Sequence, residues 1–291
     1  MARLFSQFRF KERQTMNWKT SGLRLYYDWK SAFRALLTLC AVTLAAQAAE
    51  TPHQKEAGGS DMKQVERWGM IELSFPVKME PEMPFRSGLI EAEFRNRDGG
   101  EAVKVAGFYD GDGLYRIRFS PEREGEWFWR TASEEPELNG KEGGFLAVAP
   151  GKGNHGPART TADRGFEYAD GTELRVYGTT CYVWLQQPET LRKQTLETLS
   201  KAPFNKIRFC IFPKWYAFNR KEPELYPYEG TPPNKWDFTR FNPAYFRILD
   251  EGIASLRDMG IEADVILFHP YDEGHWGFDR MPPEADEEYL K

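Results

Sequence analysis

The sequence predicts two folded units of different class in one chain, an all-β sandwich over residues 63–150 and an α/β unit over residues 165–291. Three observations carry this. Short alternating apolar segments recur between residues 65 and 148 at about ten-residue spacing, with Gly- and Asp-rich turns between them. From residue 174 onward, strand-like runs alternate with segments of helical apolar spacing. Pro150-Gly-Lys-Gly-Asn-His-Gly-Pro157 between them has the composition of a linker, extending over 151–164.

In the first unit, Val65 to Phe75 places Trp68, Met70, Ile71, Leu73 and Phe75 close to period two, and reads as one strand. Leu89–Phe94 alternates and stops at Asp98-Gly99-Gly100. Glu101–Phe108, Leu114–Phe119, Glu126–Thr131 and Gly143–Val148 supply the remaining strands. Tyr109-Asp-Gly-Asp-Gly113 is a tight turn. Its Asp-Gly-Asp-Gly core lacks the later ligands of a calcium loop, and a hairpin that needs positive φ explains Gly111 and Gly113 without a metal.

In the second unit, Leu174–Cys181 reads as a first strand and Pro188 opens a helix running to about Lys201. Asn205–Phe212 is a second strand, and Pro213 to Phe241 a long aromatic loop. Asn242-Pro243 combines an N-cap residue with Pro at the first helical position. Tyr245, Phe246, Leu249, Ile253, Leu256 and Met259 then recur at helical spacing until Gly260, a C′ residue. Ile261–Phe268 is a third strand whose unbroken apolar end resembles a buried parallel strand. The loop His269–Pro283 precedes a helix starting at Glu284. Long connections after strands and short ones after helices are expected where a site lies at the carboxyl ends of the strands. The 127 residues from 165 to 291 fall short of the about 250 of an eight-fold barrel. The unit is therefore either a small three-stranded α/β unit or a barrel cut short. A three-stranded open sheet would leave edges and apolar surface bare, so the expectation is the N-terminal part of a longer protein.

Composition bounds the function. The chain has 291 residues, 41% hydrophobic, and a formal charge of -5, which excludes a disordered or collagen-like chain. Residues 1–48 carry net +6 and the remainder net -11, an acidic balance that argues against a nucleic-acid partner. Aromatics at 15% fit a sugar-handling protein, and equally a bulky sandwich core. Ala35–Ala45 is apolar, follows Lys30 and Arg34, and ends in Ala46-Gln47-Ala48. These are the parts of a secretory signal peptide over 1–48, followed by a polar, Gly-rich linker over 49–62. An uncleaved anchor is the alternative, although the run is short for a bilayer, and no stable membrane span is expected once the signal is removed. The expected location is secreted or periplasmic. Cys181 and Cys210 would then remain, on neighbouring strands; buried free thiols are the favoured reading and a single bridge the other.

Three stretches together carry a family resemblance: Tyr177-Gly-Thr-Thr-Cys-Tyr-Val-Trp184, Phe204-Asn-Lys-Ile-Arg-Phe-Cys-Ile-Phe-Pro213 and Gly260-Ile-Glu-Ala-Asp-Val-Ile-Leu-Phe-His-Pro-Tyr271. They resemble the first three strands of the TIM-type (β/α)8 glycoside hydrolases of the cellulase-like clan, which use two catalytic glutamates. The preceding sandwich resembles the immunoglobulin-like domain of unknown function 5060. The resemblance implies a multidomain chain, a sandwich followed by three βα units of a barrel, acting on an oligo- or polysaccharide. It implies that Arg208 holds the nucleophilic carboxylate, a role suited to its planar fork, and that His269 lines the sugar site. An arginine in a structural ion pair and a histidine at a water-facing strand end are the plainer alternatives.

Trp184 at the first strand end would be a sugar-stacking platform, or else a core aromatic. Lys214, Trp215, Tyr216, Tyr271, Asp272 and Trp276 lie just past strand ends and suit either a sugar cleft or ordinary loop packing. His275 reads as a solvated loop residue. No histidine has metal-ligand spacing, so neither a metal nor a cofactor is expected. The family's acid/base glutamate follows an Asn at the fourth strand end, and its nucleophile ends the seventh. Neither strand lies within these residues, and Asp272 and Glu273 are assigned no chemistry, so the chain alone is expected to be inactive. The rival reading is a non-catalytic carbohydrate-binding or cell-surface adhesion protein.

Overall fold

A computed structural model describes residues 62–86, 88–269 and 272–291. The signal-peptide reading and nearly all of the 49–62 linker fall outside these residues. So does Tyr271.

Eight strands build the first unit: β1 (Gln64–Glu66), β2 (Ile71–Pro76), β3 (Ile90–Asn96), β4 (Val103–Ala106), β5 (Phe108–Tyr109), β6 (Leu114–Phe119), β7 (Gly125–Ser133) and β8 (Glu142–Val148). They form a five-stranded sheet in the order β1-β8-β7-β3-β4 and a three-stranded sheet in the order β2-β6-β5. Alternation explains how the two share one core. Ile90, Ala92 and Phe94 of β3 point inward from one sheet, and Tyr115, Ile117 and Phe119 of β6 from the other. Phe94 stacks on Phe119 with ring centroids 4.0 Å apart.

The single strand expected over Val65–Phe75 is in fact two strands in different sheets. The chain turns at Trp68, whose φ is 65°, and the Gly69 N–H closes the turn on the Glu66 carbonyl at 2.8 Å. A Cβ at Gly69 would stand 2.9 Å from that same oxygen, so the glycine is what lets the chain cross between sheets. The Asp110–Gly113 turn joins β5 to β6 as expected, with positive φ at Gly111, Asp112 and Gly113.

The 151–164 stretch is tied down rather than slack. The Asn154 amide donates to Glu66 and to the Arg67 carbonyl, and a hairpin follows, β9 (Ala158–Thr160) against β10 (Phe166–Tyr168).

Beyond it come β11 (Gly178–Thr180), α1 (Glu189–Ser200), β12 (Lys206–Cys210), β13 (Tyr228–Thr231), β14 (Lys235–Phe241), α2 (Pro243–Asp258), β15 (Glu262–Ile266) and α3 (Pro283–Tyr289). The strands β11, β12 and β15 form a parallel sheet in that order, and among the described residues it stays open. The stretch Pro213–Phe241 is not a plain loop, because it contains the β13–β14 hairpin. Helix α2 starts where expected, with the Asn242 side chain accepting from the Ala244 N–H at 3.1 Å, and it ends before Gly260 at φ 69°. Ile207 and Phe209 pack on Leu199 of α1 and Leu256 of α2, so both helices cover one face of the sheet. The opposite face carries Lys206, Arg208, Glu262 and Asp264, with Arg208 opposite Asp264 in register. β15 is only half-buried and Leu267 and Phe268 beyond it are exposed, against the expectation of a buried strand. It is one of the two edge strands of the open sheet.

The three-stranded sheet of the sandwich meets α2 through charge. The Arg118 guanidinium makes a two-pronged contact with Asp250, at 2.6 and 3.0 Å, and its Nε donates to Glu72 at 2.8 Å. Asp110 accepts from Arg116 on β6 and from Arg247 on α2. The Asp250 carboxylate holds the Arg118 pKa above its usual value. Replacing Arg118 by Ala is expected to lower stability by about 2 kcal/mol, because Glu72 and Asp250 lose a shared, partly buried cation. Urea unfolding followed by circular dichroism measures this; Arg118→Lys should recover only part, and an unchanged midpoint in the Ala variant would remove the pair from the account.

Candidate functional site

The carboxyl ends of β12 and β15 lie side by side, and the loops that leave them are stitched together. The end of β12 is held from behind. The Gln186 amide donates to the Ile211 carbonyl at 2.8 Å and to the Tyr245 hydroxyl at 2.9 Å, and that hydroxyl donates to the same carbonyl. Past β15, the His269 imidazole is buried, with 4% of its side chain exposed. Its Nε2 lies 3.1 Å from the Pro213 carbonyl, and its Nδ1 lies 3.2 Å from an Asp272 oxygen. The other Asp272 oxygen accepts the Trp215 N–H at 2.8 Å. One carboxylate thus joins the loop after β12 to the loop after β15. Burial, helped by the nearby Lys214 ammonium, pushes the His269 pKa below 6.5, outweighing Asp272 and the two carbonyls. Lys214 is itself buried, its ammonium 5.3 Å from the Tyr216 ring centroid and 5.9 Å from that of Tyr182.

A second group abuts the first. The Trp215 indole stacks on the His275 imidazole, centroids 4.2 Å apart at 26°. His275 Nε2 is 3.0 Å from Glu222, whose other oxygen accepts from the Trp276 indole N–H at 2.7 Å and the Tyr226 hydroxyl at 2.8 Å. Burial works against ionising Glu222, but these donors and His275 together carry its pKa below the usual range. Sequence reasoning did not find Glu222. It lies mid-loop with no periodicity or motif around it, and only the fold brings it to His275 and Trp276. A cleft of about 260 Å³ opens beside the cluster, lined by Phe212, Phe268, His269, Asp272, Trp276 and Asp279 among others.

The expected site residues therefore part company. Lys214, Trp215, His269 and Asp272 come together at the strand ends. Trp184 does not serve as a platform: only 4% of it is exposed, and it packs edge-on to Phe209 in the core. Gly252 of α2 leaves room for it, since a Cβ there would stand 3.2 Å from the Trp184 ring. Trp276 is likewise enclosed, and its contribution is to hold Glu222. Arg208 is not a buried charge: its side chain is 56% exposed, and its guanidinium pairs with Asp264 on the neighbouring strand at 2.8 Å. Arg208 sits mid-strand on the face without helices, which no described residue roofs. Cys181 and Cys210 are free thiols, and burial pushes Cys210 up to about 11. Among the described residues, no group of three or more His, Cys, Asp or Glu gathers to hold a metal.

An imidazole with a depressed folded pKa binds its proton more readily in the unfolded chain. Stability from burying neutral His269 is thus complete above about pH 6.5 and declines as pH falls from there toward the lower folded value. Urea midpoints between about pH 7.5 and 5 should fall more steeply for the wild type than for His269→Gln; parallel slopes would assign the titration to another group.

Residues 64–134 match the model of the domain of unknown function DUF5060. No curated protein matches the chain. Among solved structures, the chain is similar to a candidate glycoside hydrolase from Bacteroides vulgatus, with 43% identity and a TM-score of 0.74 over 78% of this chain and 46% of that one. A glycosyl hydrolase family 2 member from Bacteroides cellulosilyticus aligns at 12% identity and TM-score 0.26, over 74% of this chain and 26% of that one, too remote to carry an argument. Among the described residues no helix is long and apolar enough to cross a membrane. The chain carries a DUF5060 domain, is related over most of its length to the Bacteroides vulgatus protein, and spans less than half of that protein's length.

Proposed function

We propose that the chain is the N-terminal part of a secreted glycoside hydrolase acting on an oligo- or polysaccharide. In this reading the DUF5060 sandwich is immunoglobulin-like, and β11, β12 and β15 are the first three strands of a (β/α)8 barrel. The observation that carries it is the pairing of a parallel sheet covered by helices on one face only with a polar and aromatic cluster at its carboxyl ends. In a closed barrel the helix-free face becomes the interior, and the carboxyl ends of the strands are where a substrate binds. The similarity to the Bacteroides vulgatus protein supports the substrate class. The Ala35–Ala45 run and Ala46-Gln47-Ala48 support secretion.

The chemistry needs two carboxylates about 5 Å apart if configuration is retained, one acting as acid and base and the other as nucleophile. These belong on strands that follow β15. The present residues would bind and orient. Trp215 offers the face not covered by His275 to a sugar ring. His269 and Asp272 hold the two loops in place beneath it, and Glu222 holds His275 in place behind the indole. Arg208 would hold the nucleophile from the helix-free face, where its guanidinium also grips Asp264.

The test is hydrolysis by the product of the whole coding region, read as reducing ends released from a panel of polysaccharides. Release from at least one is expected, and a folded product that cleaves none would leave the carbohydrate-binding or adhesion reading. In that active protein, Trp215→Ala should raise KM about tenfold with little change in kcat. Arg208→Ala should collapse turnover with the fold intact; unchanged turnover would take Arg208 out of the site and leave it a structural ion pair.

A further inference from the structure

The outer face of the five-stranded sheet carries a second feature, separate from the strand-end cleft. Along β7, Trp127 and Trp129 turn toward the core while Phe128 turns out, and it remains 47% exposed. In register, Phe128 lies between Arg95 of β3 and Gly144 of β8. A Cβ at Gly144 would meet two ring atoms of Phe128 at 3.2 and 3.5 Å, so the ring rests against a bare stretch of backbone. The result is an open trough of about 870 Å³ with an aromatic floor, and Lys63, Glu93, Arg95, Arg130 and Glu142 along its walls.

Apart from Lys63, the charges of this face stand in pairs. Arg95 pairs with Glu93, Arg97 with Glu126, Arg130 with Glu142 and Lys104 with Glu91. A polyanion requires an uncompensated basic field, which this arrangement does not supply. The centre of a protein interface is depleted of charge, whereas here charged side chains stand next to the ring. A flat apolar face ringed by paired donors and acceptors is instead complementary to a neutral sugar. Its C–H face lies on the ring, and its hydroxyls reach guanidinium and carboxylate groups at the rim. We propose that this trough binds a neutral oligosaccharide segment with Phe128 as the stacking platform. The opposite sheet of the sandwich is the one that meets α2, so the site lies on the side of the sandwich away from the α/β unit and holds a glycan without filling the strand-end cleft.

The probe is affinity electrophoresis of the 291-residue chain through gels containing neutral polysaccharides (mixed-linkage β-glucan, xyloglucan, galactomannan, arabinan), with polygalacturonate as the charged control. Retardation by at least one neutral polymer is expected. Phe128→Ala should weaken it about tenfold, and Phe128→Trp should keep it, both variants retaining the wild-type thermal midpoint to within a few degrees. Trp215→Ala separates this site from the proposed cleft. Retardation lost in Phe128→Ala and kept in Trp215→Ala supports the trough, and the reverse result overturns it and assigns binding to the strand ends. Absence of retardation by every neutral polymer also overturns the proposal. So does a dimer on gel filtration that Phe128→Ala dissociates, which would make this face a contact between copies. Should Phe128→Ala fail to reach the wild-type midpoint, Arg130→Ala on the trough wall replaces it, and unchanged retardation in that variant counts against the site.

Discussion

A parallel sheet has two faces, and two helices on one side can cover only one of them. The architecture follows from that constraint. Ile207 and Phe209 alternate with Lys206 and Arg208, so β12 presents an apolar row to α1 and α2 and a charged row to the other side. β15 repeats the division with Glu262 and Asp264. Pairing Arg208 with Asp264 lowers the cost of any later enclosure, because a buried charge left without a partner is far more expensive than a buried pair. The sandwich adds nothing to that face. It buttresses the helical side, through Arg118 and Asp250, and so fixes α2, which in turn carries Gly252 against Trp184.

Rigidity at the strand ends comes from a few polar atoms that each answer two elements. The Ile211 carbonyl takes both the Gln186 amide and the Tyr245 hydroxyl, tying the end of β12 to α2 and to the loop before α1. Asp272 does the same for the two long loops. Such contacts suit a binding surface built on loops, since loop backbone has little regular pairing of its own and its position must be set by side chains. The depressed His269 pKa is a consequence of this enclosure: an imidazole sealed among Pro213, Asp272 and Lys214 is cheaper to bury neutral than charged.

Much of this was legible in residue pattern, for identifiable reasons. The alternation in β3 and β6, the Asn242-Pro243 start and Gly260 stop of α2, and the parallel strands after residue 174 are all local signals that tertiary packing reinforced. Four features were not legible. The break at Trp68–Gly69 hides inside a near-perfect period of two, because apolar residues continue through the turn and simply change sheets. The β13–β14 hairpin was masked by aromatic density: Trp236 and Phe238 alternate correctly, but so many neighbours are aromatic that the period is lost. The enclosure of Trp184 uses room left by a glycine 68 positions away in the sequence, and Glu222 acquired its partners only through the loop that folds His275 and Trp276 over it.

The two sheets of the sandwich then make different demands on the same alternation. Inward residues on both are apolar, many of them aromatic, and their burial supports the fold. On the outward side of the β2-β6-β5 sheet Arg118 reaches Asp250 on α2, while Glu72 and Arg116 pair within the sandwich and Phe108 lies under the Arg118 guanidinium. Outward charged residues on the central strands of the five-stranded sheet pair with one another, and the pattern is interrupted at Phe128 and Gly144. A phenylalanine among closed ion pairs gains little from its neighbours beyond covering the glycine backbone, and that cover is worth a fraction of what burying such a ring contributes in a core. Outward positions of a solvated sheet are where polar residues serve stability at least as well. An aromatic side chain kept at that point, beside the residue that has no side chain at all, fits a surface shaped for a flat ligand better than one shaped for water.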